Sequence, residues 1–372
     1  MRETPSGTVE SPTPQSENPA TRRSFTVALT GDVLVHTGVW ETAERDAAAH
    51  GRSLPYFTPM FAGVRPRISS ADLAICHLET PLAPAGGPYL NYPLFSAPPT
   101  VLDGLKDTGF DLCTTASNHS VDMGFSGLAR TIRDLDRRGL GHTGTYAARR
   151  GAGKPLEFEV NGVRVGLISM TFGTNGMPVT EPWSVNLIDV PDALRRAAAL
   201  RRRGVDVVMV AVHAGTEYSS VPNQQQVEVF RALARSPDIT FVYGHHAHVV
   251  QTIERVHHTW VVYGLGNFVA QQLTSIPDTY RAMIAEITFV ERKDGSFVAR
   301  HPRFAPTVIT SPTIHGATRV FEAAQVLASP RGPGWLRNLA RRSMAAVGFV
   351  VRAPGVRRSG VPTSSRVVAW AT

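Results

Sequence analysis

Apolar positions along this chain fall into short blocks, and the spacing inside them alternates between strand-like and helix-like. Ser24-Phe-Thr-Val-Ala-Leu-Thr is rich in β-formers and stops at Gly31-Asp32. Ala71-Asp-Leu-Ala-Ile-Cys-His-Leu is a short apolar run, Thr100 to Thr108 reads as helix, and Phe110 to Ala116 reads as strand. Gly124 to Arg138 carries Leu128, Ile132 and Leu135 at helical spacing, and Val160 to Met170 alternates as a strand. Pro191 to Arg203 opens on proline and continues in Ala, Leu and Arg, which predicts a helix. Val205-Asp-Val-Val-Met-Val-Ala-Val is the continuous apolar run of a strand buried on both faces. Gln224 to Arg235 then reads as helix, and Ile239 to Tyr243 and Trp260 to Tyr263 read as strands. Met283 to Val290 and Ser296 to Phe304 flank Lys293-Asp294-Gly295, a hairpin signal. This alternation predicts a layered α/β fold with covered sheets and no internal repeat.

Composition narrows the class. The 372 residues, 42% of them hydrophobic, suit one large domain or two small ones. No run approaches the roughly 18 apolar residues of a transmembrane helix. Residues 1 to 24 are rich in Ser, Thr, Pro and Glu and read as a disordered tail. This tail has no apolar signal core, so Sec export is not expected. Cys76 and Cys113 are the only cysteines, which predicts neither a disulfide framework nor a Cys-based zinc site. The net charge of +8 is localised. Ser329 to Thr372 holds eight Arg and no Asp or Glu, leaving 30 basic and 30 acidic residues elsewhere. The body is neutral, which argues against a nucleic-acid-binding face. Within the tail, Trp335 to Arg352 reads as a basic amphipathic helix with an apolar stripe at 335, 339, 346, 349 and 350.

The polar residues that interrupt these blocks carry the chemistry. Asp32, Glu79, Asn118, His119, His213, His246 and His248 each fall at or just past the end of a strand. In layered α/β folds that edge is where ligands bind. Asp, Glu, Asn and neutral His are the oxygen and nitrogen donors that Zn, Mn or Fe accept. Taken singly, Gly31-Asp32 is an ordinary turn, Glu79 before Pro81 is a solvated carboxylate, and His213 is a core histidine. Ser117-Asn118-His119-Ser-Val-Asp122 is more specific, because it places an amide, an imidazole and a carboxylate together before a helix. Gly244-His245-His246-Ala247-His248 is the strongest segment, with three His in four residues after a strand. Arg65 and Arg67 read as surface residues.

These segments resemble the CapA family, associated with bacterial capsule and poly-γ-glutamate synthesis, itself similar to a divergent branch of calcineurin-like metallophosphoesterases. The resemblance rests on Thr30-Gly31-Asp32-Val33-Leu34, Leu78-Glu79-Thr80-Pro81, Phe95-Ser96-Ala97-Pro98-Pro99 and Ser117 to Gly124. It continues through Phe172 to Gly176, His213 to Tyr218, Gly244 to Val249 and Gly264-Leu265-Gly266-Asn267-Phe268. It implies a four-layer α/β/β/α sandwich over residues 25 to 310, with 311 to 372 as a C-terminal extension. It further implies that Asp32 and His248 hold one metal, that Glu79 bridges, and that Asn118, His213 and His246 hold a second. His119 is then the general acid, oriented by Asp122. Glu217 is implied as a partner of the ligands, and Asn175 and Asn267, in Gly-rich turns, as substrate donors. Two departures stand out. Leu34 occupies the position where metallophosphoesterases carry a metal-binding His, for which His36 is a candidate substitute. His77 stands where the family has Asn.

Two functions follow. The first is a metal-dependent hydrolase of phosphoesterase type, using one or two Mn, Zn or Fe ions, in capsule or poly-γ-glutamate synthesis. Its substrate would be a phosphoester or an anionic polymer, and synthase components would be its partners. The second is a non-catalytic accessory of a polymer synthesis or export complex with a vestigial metal site. The chain has no P-loop and no Gly-x-Ser-x-Gly, so neither an ATP-driven ligase nor a serine hydrolase is expected. The expected location is cytoplasmic, with peripheral contact to the inner membrane face through the tail.

Overall fold

In the computed structural model, which describes residues 22–300 and 302–362, the chain builds two sheets from successive strand–helix units. The first run comprises β1 (Ser24–Val33), α1 (Thr37–Ala49), α2 (Arg65–Ile68), β2 (Leu73–Leu78), α3 (Val101–Thr108), β3 (Leu112–Thr114), α4 (Gly124–Arg137) and β4 (Gly141–Thr143). The second comprises β5 (Leu156–Val160), β6 (Val163–Thr171), α5 (Val190–Arg202), β7 (Val207–His213), α6 (Gln224–Ala234), β8 (Phe241–His245), β9 (Ile253–Val256) and β10 (Thr259–Val262). The chain then returns to the first sheet with β11 (Asn267–Val269), β12 (Arg281–Glu291), β13 (Phe297–Ala299) and β14 (Arg303–Ile309). It finishes with α7 (Pro312–His315), β15 (Val320–Glu322), α8 (Ala323–Ala328), α9 (Gly334–Val350) and β16 (Arg357–Arg358). One sheet runs β15-β14-β12-β1-β2-β3-β4, with β11, β13 and β16 paired at its flanks. The other runs β5-β6-β7-β8-β10-β9.

The pleat explains the layers. Along β7, Val207, Met209 and Ala211 face a core shared with Phe25, Val27 and Leu29 of β1 and Phe241 and Tyr243 of β8. The alternate residues Val208, Val210 and Val212 pack outward on Ala193, Ala197 and Leu200 of α5 and Phe230 and Leu233 of α6. On the opposite side, Ala28, Ala74 and Leu78 pack on Val39 of α1, Leu102 and Leu105 of α3 and Leu135 of α4. With both strand faces apolar, β7 has no polar alternation to show. The result is the four-layer α/β/β/α sandwich.

Three sequence readings change here. Cys76 and Cys113 sit side by side in the β2–β3 register and form a disulfide, where no disulfide framework was expected. Arg67 is not a surface residue. It is 5% exposed and pairs with Glu286 at 3.1 Å and Glu322 at 2.5 Å. Its guanidinium also donates to the Gly360 carbonyl, so it ties the C-terminal segment to α2. The basic helix forms as α9, but its buried face is Leu336, Ala340, Ser343 and Val347 rather than the stripe at 335, 339, 346, 349 and 350. Leu336 and Ala340 pack on Val308, Ala323 and Val326, and the Ser343 hydroxyl donates to the Thr307 carbonyl at 2.7 Å. The eightfold Arg count includes Arg366, and that residue and the tail at 1–21 lie outside the described residues. Among the described residues, no helix is long and apolar enough to cross a membrane.

Candidate metal centre

β1, β2 and β3 are mutually parallel, as are β6, β7 and β8, so the carboxyl ends of each set share one edge. The site forms there. Asp32 is near the end of β1, Glu79 directly follows β2, and Asn118 and His119 follow β3. His213 closes β7, and His246 and His248 follow β8. The glycine before Asp32 is a packing requirement. A Cβ at Gly31 would lie 1.7 Å from the Gly266 carbonyl oxygen, and the Asp32 N–H donates to that same oxygen at 3.0 Å. His246 and His248 adopt left-handed backbone with φ of 89° and 58°. Such conformations in non-glycine residues concentrate at functional sites.

All six expected ligands are buried and converge. Asp32 lies 3.2 Å from His248 Nδ1 and 3.2 Å from His245 Nδ1. Glu79 Oε1 is 3.8 Å from His248 Nε2 and 3.9 Å from His213 Nε2. His213 Nε2 lies 2.8 Å from Asn118 Oδ1. Donor atoms of Asp32, Glu79 and His248 fall within 4.8 Å of one another, as do those of Glu79, His213 and His246, and those of Glu217, His246 and His248. Glu79 belongs to the first two sets, the position of a bridging carboxylate.

The electrostatics describe a site short of positive charge. Burial pushes Asp32 up, yet the adjacent His245 and His248 imidazoles outweigh it and hold the carboxyl well below its usual range. Burial, with the nearby Asp32, Glu217 and Asp122 carboxylates, pushes Glu79 well above. Burial depresses His248, but Glu79 and Asp32 reverse this and raise it to about 9. Burial, reinforced by His248, pushes His246 down to about 3, and burial also depresses His213 and His77. Asp32 Oδ1, both Glu79 oxygens and His246 Nδ1 have no hydrogen-bond partner although buried. Orphaned buried acceptors of this kind are costly unless a ligand satisfies them. The donor set of carboxylate, amide and imidazole suits a divalent transition metal, so the residues present fit the ion.

The surrounding residues fall into place around these donors. His119 Nδ1 is 2.7 Å from Asp122 Oδ2, leaving Nε2 free. Asn175, at φ 52°, accepts the Asn118 side-chain N–H at 3.2 Å. Asn267 is fully buried and faces His248 instead of open space. Its Oδ1 lies 3.0 Å from His248 Nδ1, and its Nδ2 donates to the His248 and Thr279 carbonyls. Leu34 packs in a small apolar cluster with Phe95 and Ala270. His36 belongs to none of the donor sets, and its Nδ1 lies 3.2 Å from the Gln271 backbone nitrogen. Two residues outside the expected set enter the site. His77 and His245 stack with ring centroids 4.1 Å apart, beside Asp32. His245 was legible within Gly244 to His248, since the last strand residue of β8 alternates toward the sheet interface with Tyr243 and Phe241.

The chain is 29% identical over 170 residues to the PGA biosynthesis protein CapA of Bacillus subtilis, covering 45% of this chain and 44% of that one. It is 26% identical over 259 residues to the capsule biosynthesis protein CapA of Bacillus anthracis, covering 67% and 60%. The matches thus span about half the length of these curated relatives. Among solved structures, the calcineurin-like phosphoesterase YfkN from Bacillus subtilis is similar over 89% of this chain and 99% of that one, at 14% identity and a TM-score of 0.46. The family model described as bacterial capsule synthesis protein PGA_cap matches residues 26–272, every candidate ligand included, and the chain belongs to that family.

Proposed function

We infer that the protein is a metal-dependent hydrolase of phosphoesterase type that works in capsule or poly-γ-glutamate synthesis. The observation that carries this reading is the set of orphaned donors. Asp32 Oδ1, both oxygens of Glu79 and His246 Nδ1 are buried without hydrogen-bond partners, in two donor sets that share Glu79. Asp32, Glu79 and His248 would hold one ion, and Glu79, Asn118, His213 and His246 a second. Bound there, Mn, Zn or Fe supplies a Lewis acid and lowers the pKa of coordinated water. His119 Nε2, with Nδ1 held by Asp122, would donate a proton to a leaving oxygen. Asn175 keeps Asn118 oriented, and Asn267 does the same for His248. The substrate class is a phosphoester or an anionic polymer, and the partners are polymer synthase components.

The alternative, a non-catalytic accessory with a vestigial site, is favoured by one observation: Leu34, packed on Phe95, supplies no donor to the first ion. Hydrolysis of aryl phosphate mono- and diesters with added manganese, alongside metal analysis, separates the two. Metal uptake with turnover abolished by Glu79→Gln supports the hydrolase; metal uptake with no turnover on any phosphoester or poly-γ-glutamate supports the accessory. The cytoplasmic placement expected from sequence meets a counter-argument in the Cys76–Cys113 disulfide, a link that persists in oxidising surroundings.

A further inference from the structure

His77 has no part in the reading above, yet it touches His213 on the side away from Asn118. His77 Nε2 lies 2.9 Å from His213 Nδ1, and His77 Nδ1 lies 2.9 Å from Thr114 Oγ1. Thr114 Oγ1 is itself 3.4 Å from the Cys76 carbonyl oxygen. At the far end, His213 Nε2 faces Asn118 Oδ1 at 2.8 Å. All four side chains are buried. A neutral imidazole carries one N–H and one lone pair, so placing one proton in this chain places the others.

Distance alone also groups His77 with Asp32 and His245 as a possible ion site. The ring planes rule this out. The His77 and His245 rings are stacked 4.1 Å apart and within 12° of parallel. Each nitrogen offers its lone pair in its own ring plane, at about 2.0–2.1 Å from a metal. Two nearly parallel planes a ring thickness apart share no such point. His77 also has a hydrogen-bond partner at both nitrogens, whereas His245 has only the Asp32 carboxylate beside its Nδ1, at 3.2 Å.

Two directions of donation satisfy the chain. In the first, the Thr114 hydroxyl donates to His77 Nδ1, His77 Nε2–H donates to His213 Nδ1, and His213 Nε2–H donates to Asn118 Oδ1. His213 then presents no lone pair to the metal centre. In the second, the Thr114 hydroxyl donates to the Cys76 carbonyl, His77 Nδ1–H donates to Thr114, and His213 Nδ1–H donates to His77 Nε2. His213 Nε2 and Asn118 Oδ1 are then both free to bind a cation. We propose that His77 and Thr114 are positioning residues that set the tautomer of His213, and that cation binding at His213 Nε2 reverses the whole chain. In the reversal the His213 Nε2 proton is given up to solvent water, the His77 Nε2 proton passes to His213 Nδ1, and a proton taken from solvent water replaces it at His77 Nδ1. Both rings stay neutral and the proton count is unchanged. A ligand histidine whose second nitrogen is held this way gains affinity, and loss of such a partner typically costs 10–100-fold.

The proposal rests on the metal reading given above, and the test separates the two. Nitrogen-15 NMR of histidine-labelled full-length protein reads each ring's tautomer, and zinc is the probe because it is diamagnetic. The expected result is that His77 is an Nε2–H tautomer without zinc and an Nδ1–H tautomer with it, although His77 is not a ligand. Equilibrium dialysis measures uptake in parallel. Failure of wild-type protein to take up zinc sinks the metal site and the relay with it. Uptake with an unchanged His77 tautomer sinks the relay alone. His77→Leu should weaken zinc binding by about 10–100-fold, and His77→Gln, whose amide reaches the same place as Nε2, should restore most of it. Equal affinity for wild type and His77→Leu would overturn the proposal; because the tautomer reading needs no variant, a misfolded His77→Leu leaves the test intact.

Discussion

His119 and Asp122 form a closed pair, with Nδ1 of the ring 2.7 Å from a carboxylate oxygen that also accepts the Phe95 backbone N–H at 2.8 Å. Phe95 stands edge-on to the His119 ring, with centroids 4.8 Å apart. The ring is thus held by Asp122 and Phe95, and its free nitrogen is held with it. Its neighbour Asn118 points instead at His213. Adjacent residues therefore take different tasks. His119→Ala should lower phosphoester turnover by about 10²–10⁴ while metal content stays at the wild-type level. Asn118→Ala should lower metal content. Elemental analysis paired with turnover checks both, and the opposite pattern would show the two roles exchanged.

The metal centre itself is tested by removing donors from one loop. His246 and His248 share one donor set with Glu217, and each also belongs to a set that contains Glu79. The double variant His246→Ala/His248→Ala should lose at least one ion per chain by elemental analysis. Retention of the wild-type metal content would place the ions elsewhere.

Much of this was readable before any coordinates. The strand-end positions of Asp32, Glu79, Asn118, His213, His246 and His248 follow from apolar blocks with a polar residue at each end. Their convergence needs only that strands within a sheet run parallel. What the pattern missed depends on partners distant in the chain. Arg67 reads as exposed because Glu286 and Glu322, more than 200 positions away, are invisible to local spacing. The buried face of α9 differs from the one that hydrophobicity predicts for a related reason. Leu336, Ala340 and Val347 offer fewer large side chains than the stripe holding Trp335 and Phe349, so hydrophobicity alone selects the wrong side. The sheet beneath accepts small residues, and a serine sits buried there because the Thr307 carbonyl receives its proton. His77 could be noticed as a departure from the family but not placed, since its partner His213 lies in the other sheet.

The pH dependence of the metal-free fold follows from opposed shifts. His36 titrates near 4 in the fold, pushed down by burial, against 6.5 when unfolded. Between those values the unfolded chain holds a proton that the folded chain does not, so stability falls as pH drops from 6.5 toward 4. His77, His213 and His246 act in the same direction. His248, raised to about 9, contributes stability that is complete below 6.5 and lost as pH rises through 9. Metal-free protein should melt highest near neutral pH and lower on both sides. Thermal melts from pH 4 to 9 test this. His36→Gln should flatten the acidic limb and leave the alkaline limb unchanged.

Arg67 gives a stability prediction of a different kind. Its guanidinium is buried between two buried carboxylates, Glu286 and Glu322. Removing one partner of such a group leaves unpaired charge and costs about 3–5 kcal/mol. Arg67→Ala should therefore lower stability by that amount in chemical denaturation. The paired change of Arg67→Met with Glu322→Gln should recover part of it. An Arg67→Ala cost within 0.5 kcal/mol, the range usual for surface sites, would contradict the buried triad.

The C-terminal helix decides whether the basic tail serves a membrane. α9 buries Leu336, Ala340, Ser343 and Val347 on the sheet and leaves Trp335 at 48% and Phe349 at 69% exposed. Its apolar cover is thus already used on Val308 and Val326, and what remains for a lipid surface is two aromatic rings with flanking arginines. Leu336→Ala should cost about 2–5 kcal/mol, as expected for a large-to-small change in a packed core. A chain ending at Ala328 should melt well below the full chain, because it uncovers β14. That makes truncation a poor probe of lipid binding, and surface variants a better one. In co-sedimentation with anionic vesicles, a membrane role predicts pelleting of the full chain at low salt, at about 1 kcal/mol per arginine near the surface. Pelleting should fall for Trp335→Ser/Phe349→Ser, while the variant's melting temperature stays near wild type. Negligible pelleting of the full chain at low salt would leave α9 with a structural role alone, as the helix that covers β12 and β14 of the first sheet.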